Sequence, residues 1–358
     1  MVAGNRRICK FMSNSVNDRE IGPDIIRVFA IICVICGHFF SVNTPFNQAC
    51  QAGGSMLMQG CLKSFFCNLG VPLFLMLTGY FNCFKKITIS YYKNIAKVLV
   101  PYFSISFVTW IVLSKSHSVM ELILGTLGFK IIGYAWYVEM FIGLYLIIPF
   151  LNIVLEHVFN AGDKRIMYAM FAILVCMTSL PALVNRGDYR LVPNYWTSSF
   201  PVLIYAIGAY IRVYKPIIKR KILATIVICI IYFQYPILNY CGNVFFSVGA
   251  NLPNILGPYY AVPGCLAMTL LFILIYQYKL SNITLRRFVT RISLVSYEMY
   301  LFSYLCDRII YPYFMEHYYI NQSSFLIWFV PITLVVLVSS YMLSAVYKHF
   351  ITIFKKTK

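Results

Sequence analysis

Acidic side chains are scarce in this chain of 358 residues: 11 Asp and Glu stand against 30 Lys and Arg, and there are only 5 His. Charge of either sign reaches 11%, where a soluble domain carries about 25%. That shortage excludes an ordinary water-soluble fold. Also missing are a nucleotide-binding glycine loop, a metal-ligand cluster, a serine-protease arrangement and a stretch polar enough for a separate soluble domain. Internal repeats are not evident, which counts against an inverted-repeat transporter. What is present is apolar, with 60% hydrophobic residues, 17% aromatic residues and a mean hydropathy of +0.75. Apolar runs of about 20 residues recur along the chain, long enough to cross a hydrocarbon core as helices. The sequence therefore reads as an all-α, polytopic integral membrane protein.

Ten spans are predicted, near 24–43, 65–84, 98–114, 131–154, 166–183, 199–211, 222–237, 256–276, 292–311 and 324–347. The basic residues alternate with them. Arg27 and Arg308 fall inside spans, and Lys63, Lys115, Lys130, Arg186 and Arg190 fall in outer loops. The rest lie in inner segments, from Arg6, Arg7, Lys10 and Arg19 to Lys355, Lys356 and Lys358. Such asymmetry predicts both termini on the cytoplasmic side. It accounts for the net charge of +19 through anionic lipid headgroups, with no nucleic acid involved. The chain then divides into a cytoplasmic segment (1–23), a ten-helix transmembrane domain (24–347) and a basic cytoplasmic tail (348–358).

The first span is longer than a signal-peptide core, and no cleavage site follows promptly, so it is expected to be retained. The longest polar loops, 44–64, 184–198 and 238–255, are all outer ones. Of the twelve cysteines, Cys33 and Cys36 form a CxxC within the first span and read as small core residues. Cys50 and Cys61 share the first outer loop and are candidates for a disulfide. The sequon Asn282-Ile283-Thr284 lies on the predicted cytoplasmic side and reads as meaningless for glycosylation.

The stretch RVFAIICVICGH, 27–38, puts ionisable groups at both ends of an apolar helix. Eleven positions at 100° each leave Arg27 and His38 within about 20° of one face, roughly 16 Å apart along the axis. Asp24 precedes Arg27 by one turn and can pair with it. Spacing alone leaves Arg27 open to snorkelling toward headgroups, and His38 open to a structural hydrogen bond between helices. A histidine at that depth is nonetheless read first as functional, because its ordinary pKa suits proton transfer near neutral pH. Glu139 and Glu298 are further intramembrane acids, each as compatible with a structural role as with a site. Asp307 and Arg308 read as structural first. Trp136 and Tyr137 are placed to stack on a sugar.

The segment DIIRVFAIICVICGH resembles the first helix of the membrane-bound acyltransferase-3 family, whose signature is a basic residue, ten residues, then histidine. GVPLFLMLTGYF (70–81), YYKNIAKVLVPYF (91–103), WYVEMFIGLYLIIPFLN (136–152) and SLVSYEMYL (293–301) are similar to later family blocks, in the family's order. The resemblance implies O-acyl transfer, usually of acetyl from cytoplasmic acetyl-CoA, to a hydroxyl of a surface or secreted glycan such as O-antigen, capsule or exopolysaccharide. It implies a bacterial cytoplasmic membrane, an acyl-CoA donor, a glycan acceptor and no bound cofactor. His38 takes the catalytic histidine's place, as general base or as transient acyl acceptor, and Arg27 that of its basic partner. Lys97, Glu139, Glu298 and Trp136 are the expected substrate-binding residues.

Two positions depart from the family pattern. Asn94 and Lys97 stand where two arginines are often found, so Lys97 keeps a charge without a bidentate fork. Ser303 stands where a second histidine often is. An exporter of a glycan or lipid-linked sugar is the alternative reading, and a membrane scaffold a third, which would leave His38 without a purpose.

Overall fold

The computed structural model describes residues 19–48, 50, 53–115, 117–161, 163–185, 189–245 and 259–356. The predicted inner positions Arg6, Arg7, Lys10 and Lys358, the outer Arg186 and most of the cytoplasmic segment 1–23 lie outside them. Of the described residues 83% are helical, and none of them forms a strand. It is a polytopic membrane protein, and among the described residues seven helical stretches are long and apolar enough to cross a bilayer.

Each of the ten predicted spans falls on a helix, but three of these helices differ from an ordinary span. Helix α1 is Ile21–His38, and the chain continues as a π-helical turn, Phe39–Asn43. Helix α2, Gly53–Asn82, takes in most of the predicted outer loop 44–64. Its polar Gln59 and Lys63 side chains donate to backbone carbonyls of residues 46–48. Helices α3 (Ile89–Lys93) and α4 (Ala96–Leu113) together form the third crossing, and α5 is Val119–Leu127. Next come α6 (Trp136–Asn160) and α7 (Lys164–Val184). Helix α8, Phe200–Tyr214, has 15 residues and is too short to qualify as a span. Helix α9, Lys221–Phe245, extends into the predicted loop 238–255, and α10 (Val262–Ile275) is again short. Helix α11, Ile283–Tyr318, runs for 36 residues, but its charges and tyrosines dilute its apolar character. Helices α12 (Gln322–Phe325) and α13 (Phe329–Lys356) complete the chain.

Lipid as solvent explains the surface. Phe107, Ile111, Val154, Ile230 and Val338 are exposed, as expected where the surroundings are hydrocarbon. Without a hydrophobic drive between helices, close association relies on small residues. Gly79 on α2 lies so near α8 that an added Cβ would meet the Tyr205 carbonyl at 2.0 Å. Gly208 on α8 answers it, its Cβ position lying 2.1 Å from the Met76 carbonyl. These two glycines let backbone rest on backbone. Prolines 72, 101, 149, 181, 236 and 312 sit within helices, a tolerance that membrane helices share.

Helix α1 lies between two apolar clusters. Ile26, Ala30 and Cys33 pack with α2, α8 and α10, whereas Ile31, Ile35, Cys36 and Phe39 pack with α6, α11 and α13. The CxxC thiols are thus free, buried core residues. The candidate Cys50–Cys61 disulfide is absent: both thiols are free, and the Cys50 Sγ lies 3.2 Å from the Ser323 hydroxyl instead. The sequon also has a structural use. The Asn282 side chain caps α11 by accepting from the Thr284 and Leu285 amides.

Candidate active site

Helices α1 and α11 touch through two polar clusters. Arg27 and Ser293 meet near the start of α1, and His38 and Asp307 meet at its end. Both partners on α11 follow in the same order, so the two helices run parallel. Fourteen residues of α11 separate the clusters, about 21 Å of helix.

At the Arg27 end, the buried Asp24 carboxylate is fully engaged. It accepts from Arg19 Nε (2.6 Å) and Nη2 (2.7 Å), from Arg27 Nη1 (3.2 Å) and from the Ser293 hydroxyl (2.6 Å). Arg27 Nη1 also lies 2.8 Å from the Ser293 Oγ, and the guanidinium sits 5.4 Å from the centre of the Phe81 ring. The expected Asp24–Arg27 pair is therefore present, within a larger network. Nε and Nη2 of Arg27 make no hydrogen bond among the described residues, and its side chain is 24% exposed. One edge of the fork is fixed and the other is open.

At the other end, His38 closes the α-helical part of α1. Its ring lies over Tyr134 with centroids 3.7 Å apart and planes tilted by 32°. Nδ1 is 3.9 Å from the Asp307 Oδ2, a charge-pair distance longer than a hydrogen bond. That Oδ2 accepts from the Tyr134 hydroxyl (2.6 Å) and from Asn43 Nδ2 (2.8 Å). His38 Nδ1 and Asp307 Oδ1 are buried without a hydrogen-bond partner. The side chain as a whole keeps 14% exposure, on atoms other than Nδ1.

The π turn is what brings Asn43 to this group. A widened turn of this kind is rare and recurs at functional sites. Here it is anchored by Phe39 and Phe40, both fully buried against Phe46 and Phe329. The Thr44 hydroxyl donates back to the Phe39 carbonyl and closes the turn.

The remaining predicted residues are dispersed. Lys97 is exposed in the first turn of α4, and Glu139 is exposed in the first turn of α6. Trp136 opens α6, 46% exposed and edge-on to Tyr137. Glu298 is buried, with the Lys348 Nζ of α13 at 2.5 Å from its Oε1. It joins neither cluster. Ser303 donates to the Tyr300 carbonyl of its own helix, so it offers no hydroxyl to His38.

The residues that complete the site are Asp307, Tyr134 and Asn43. Asp307 was visible as an intramembrane acid and was read as structural. Nothing in the sequence separates Tyr134 from the other 28 tyrosines. An imidazole whose buried Nδ1 lies 3.9 Å from a buried carboxylate is an arrangement that a base and its orienting group can use.

Comparison with known families decides the class. A family model described as an acyltransferase domain matches residues 20–345. The chain belongs to the acyltransferase-3 family. It is a membrane acyltransferase, which sets aside the exporter and scaffold readings. Searches of curated proteins and of solved structures return no match.

Proposed function

We propose that this acyltransferase moves acetyl from acetyl-CoA to a hydroxyl of a surface or secreted glycan, with His38 as general base. The observation that carries this reading is the His38 ring, held on Tyr134 with Nδ1 turned toward Asp307. That orientation favours the Nδ1–H tautomer and leaves the Nε2 lone pair for a substrate. Nε2 takes the proton of the acceptor hydroxyl as its oxygen attacks the thioester carbonyl. The C–S bond then breaks, and the imidazolium returns the proton to the departing thiolate. The products are an O-ester and free CoA. Asp307 balances the positive charge that the ring carries in between.

The donor arrives at the Arg27 end. The free edge of Arg27 suits a phosphate of CoA, and Lys97 adds a point charge on the same side. The span of about 16 Å from Arg27 to His38 is left to the pantetheine arm. The excess of Lys and Arg at that end makes it the cytoplasmic face, with both termini inside, in the cytoplasmic membrane of a bacterium. The glycan meets His38 from the opposite side, where Trp136 and Glu139 supply exposed contacts. Glu298 serves by holding α11 to α13 through Lys348.

His38→Ala is expected to abolish glycan acetylation, a loss of at least about 100-fold, with the protein level in membranes unchanged. Mass spectrometry of the host glycan reads the result. Retained acetylation in that variant refutes the assignment of His38.

A further inference from the structure

Beside the His38 cluster, Asn43, Asp307, Arg308 and Tyr311 line a cleft of about 160 Å³, with Val42 and Met315 as apolar walls. Asn43 and Asp307 belong to both places; His38 is not in the cleft wall. Two buried polar atoms on these lining residues lack a hydrogen-bond partner, Asp307 Oδ1 and the Tyr311 hydroxyl. Such orphans are costly unless something joins them. At the mouth stands Arg308, exposed and in no ion pair among the described residues. Its Nη2 donates to the Asn43 Oδ1 at 3.1 Å, and its guanidinium lies 5.1 Å from the centre of the Tyr304 ring. The fork is thereby held in place with its remaining N–H groups free.

A fixed, unpaired guanidinium at the lip of a polar cleft is suited to a planar or tetrahedral oxyanion. We propose that this cleft is an acceptor subsite whose Arg308 binds a carboxylate or phosphate of the glycan, next to the sugar that is acylated. The enzyme thus selects an acidic glycan. This rests on the reading of His38 as the base that acts on a glycan.

The test uses the full chain in phosphatidylcholine vesicles with acetyl-CoA. The acceptor is the host's surface polysaccharide, stripped of O-acetyl groups by mild alkali and supplied native, carboxyl-reduced or dephosphorylated. Arg308→Gln is expected to raise the KM for the native polymer about tenfold or more, with kcat little changed. Arg308→Lys should fall between the two. The wild type should lose the same factor on whichever treated polymer lacks the oxyanion, and on that polymer Arg308→Gln should have no further effect.

An equal change on all three polymers, or no change, overturns the subsite. So does a dependence on Arg308 that appears only when anionic lipid is added, which would mean that the guanidinium binds headgroups. If the wild type transfers nothing to the native polymer, the glycan reading itself fails. Transfer that ignores Arg308 sinks the subsite alone.

Discussion

The two polar clusters on α1 are built from similar parts and finished differently. At the Arg27 end, one buried acid is surrounded by donors from Arg19, Arg27 and Ser293. At the His38 end, the buried acid keeps one oxygen unpartnered, and the imidazole nitrogen facing it is unpartnered too. A saturated network in low dielectric fixes geometry. An unsaturated one keeps sites for groups that arrive during reaction. On the proposed reading the first cluster works as an anchor with one open edge on Arg27, and the second as the place of chemistry.

Asp24→Asn is the substitution expected to hurt the fold most. It leaves the half-buried Arg27 and the exposed Arg19 without their acid, a loss of about 1–3 kcal/mol, seen as a lowered unfolding temperature in detergent. If stability is unchanged, the anchor reading fails. Asp307→Asn should do the reverse. The fold is kept, while kcat falls about 100-fold and the KM for acetyl-CoA stays near its starting value. A loss of stability without a specific loss of kcat would make the two ends equivalent. Tyr134→Phe keeps the ring under His38 and removes the hydroxyl that donates to Asp307 at 2.6 Å. A smaller drop in kcat, about tenfold, is expected in single-turnover assays. The smallest effect belongs to Lys97→Ala, which should raise the KM for acetyl-CoA a few-fold, about what one exposed charge contributes, and leave kcat alone.

The anchor was the more legible of the two ends. Asp24 and Arg27 are one turn apart on one helix, and local spacing suffices to pair them. The shared face of Arg27 and His38 also followed from helical pitch, and α11 does meet both. What pitch alone does not supply is the register of α11 against α1, which decides that Asp307 rather than Glu298 or Ser303 faces the imidazole. The π turn has no sequence signature either, and without it the position of Asn43 is misjudged. The start of α2 was hidden for a different reason. Gln59 and Lys63 look like loop residues until the carbonyls of residues 46–48 are seen to receive them.

The contact of Gly79 with Tyr205 and of Gly208 with Met76 has a consequence for motion. Where two main chains touch, there is no side-chain cushion to compress or rotate, so that seam cannot serve as a hinge. On the proposed mechanism, any opening that admits the thioester lies on the opposite flank of α1, toward α6, α11 and α13, and cross-links placed there are expected to arrest turnover while a bridge between α2 and α8 is not.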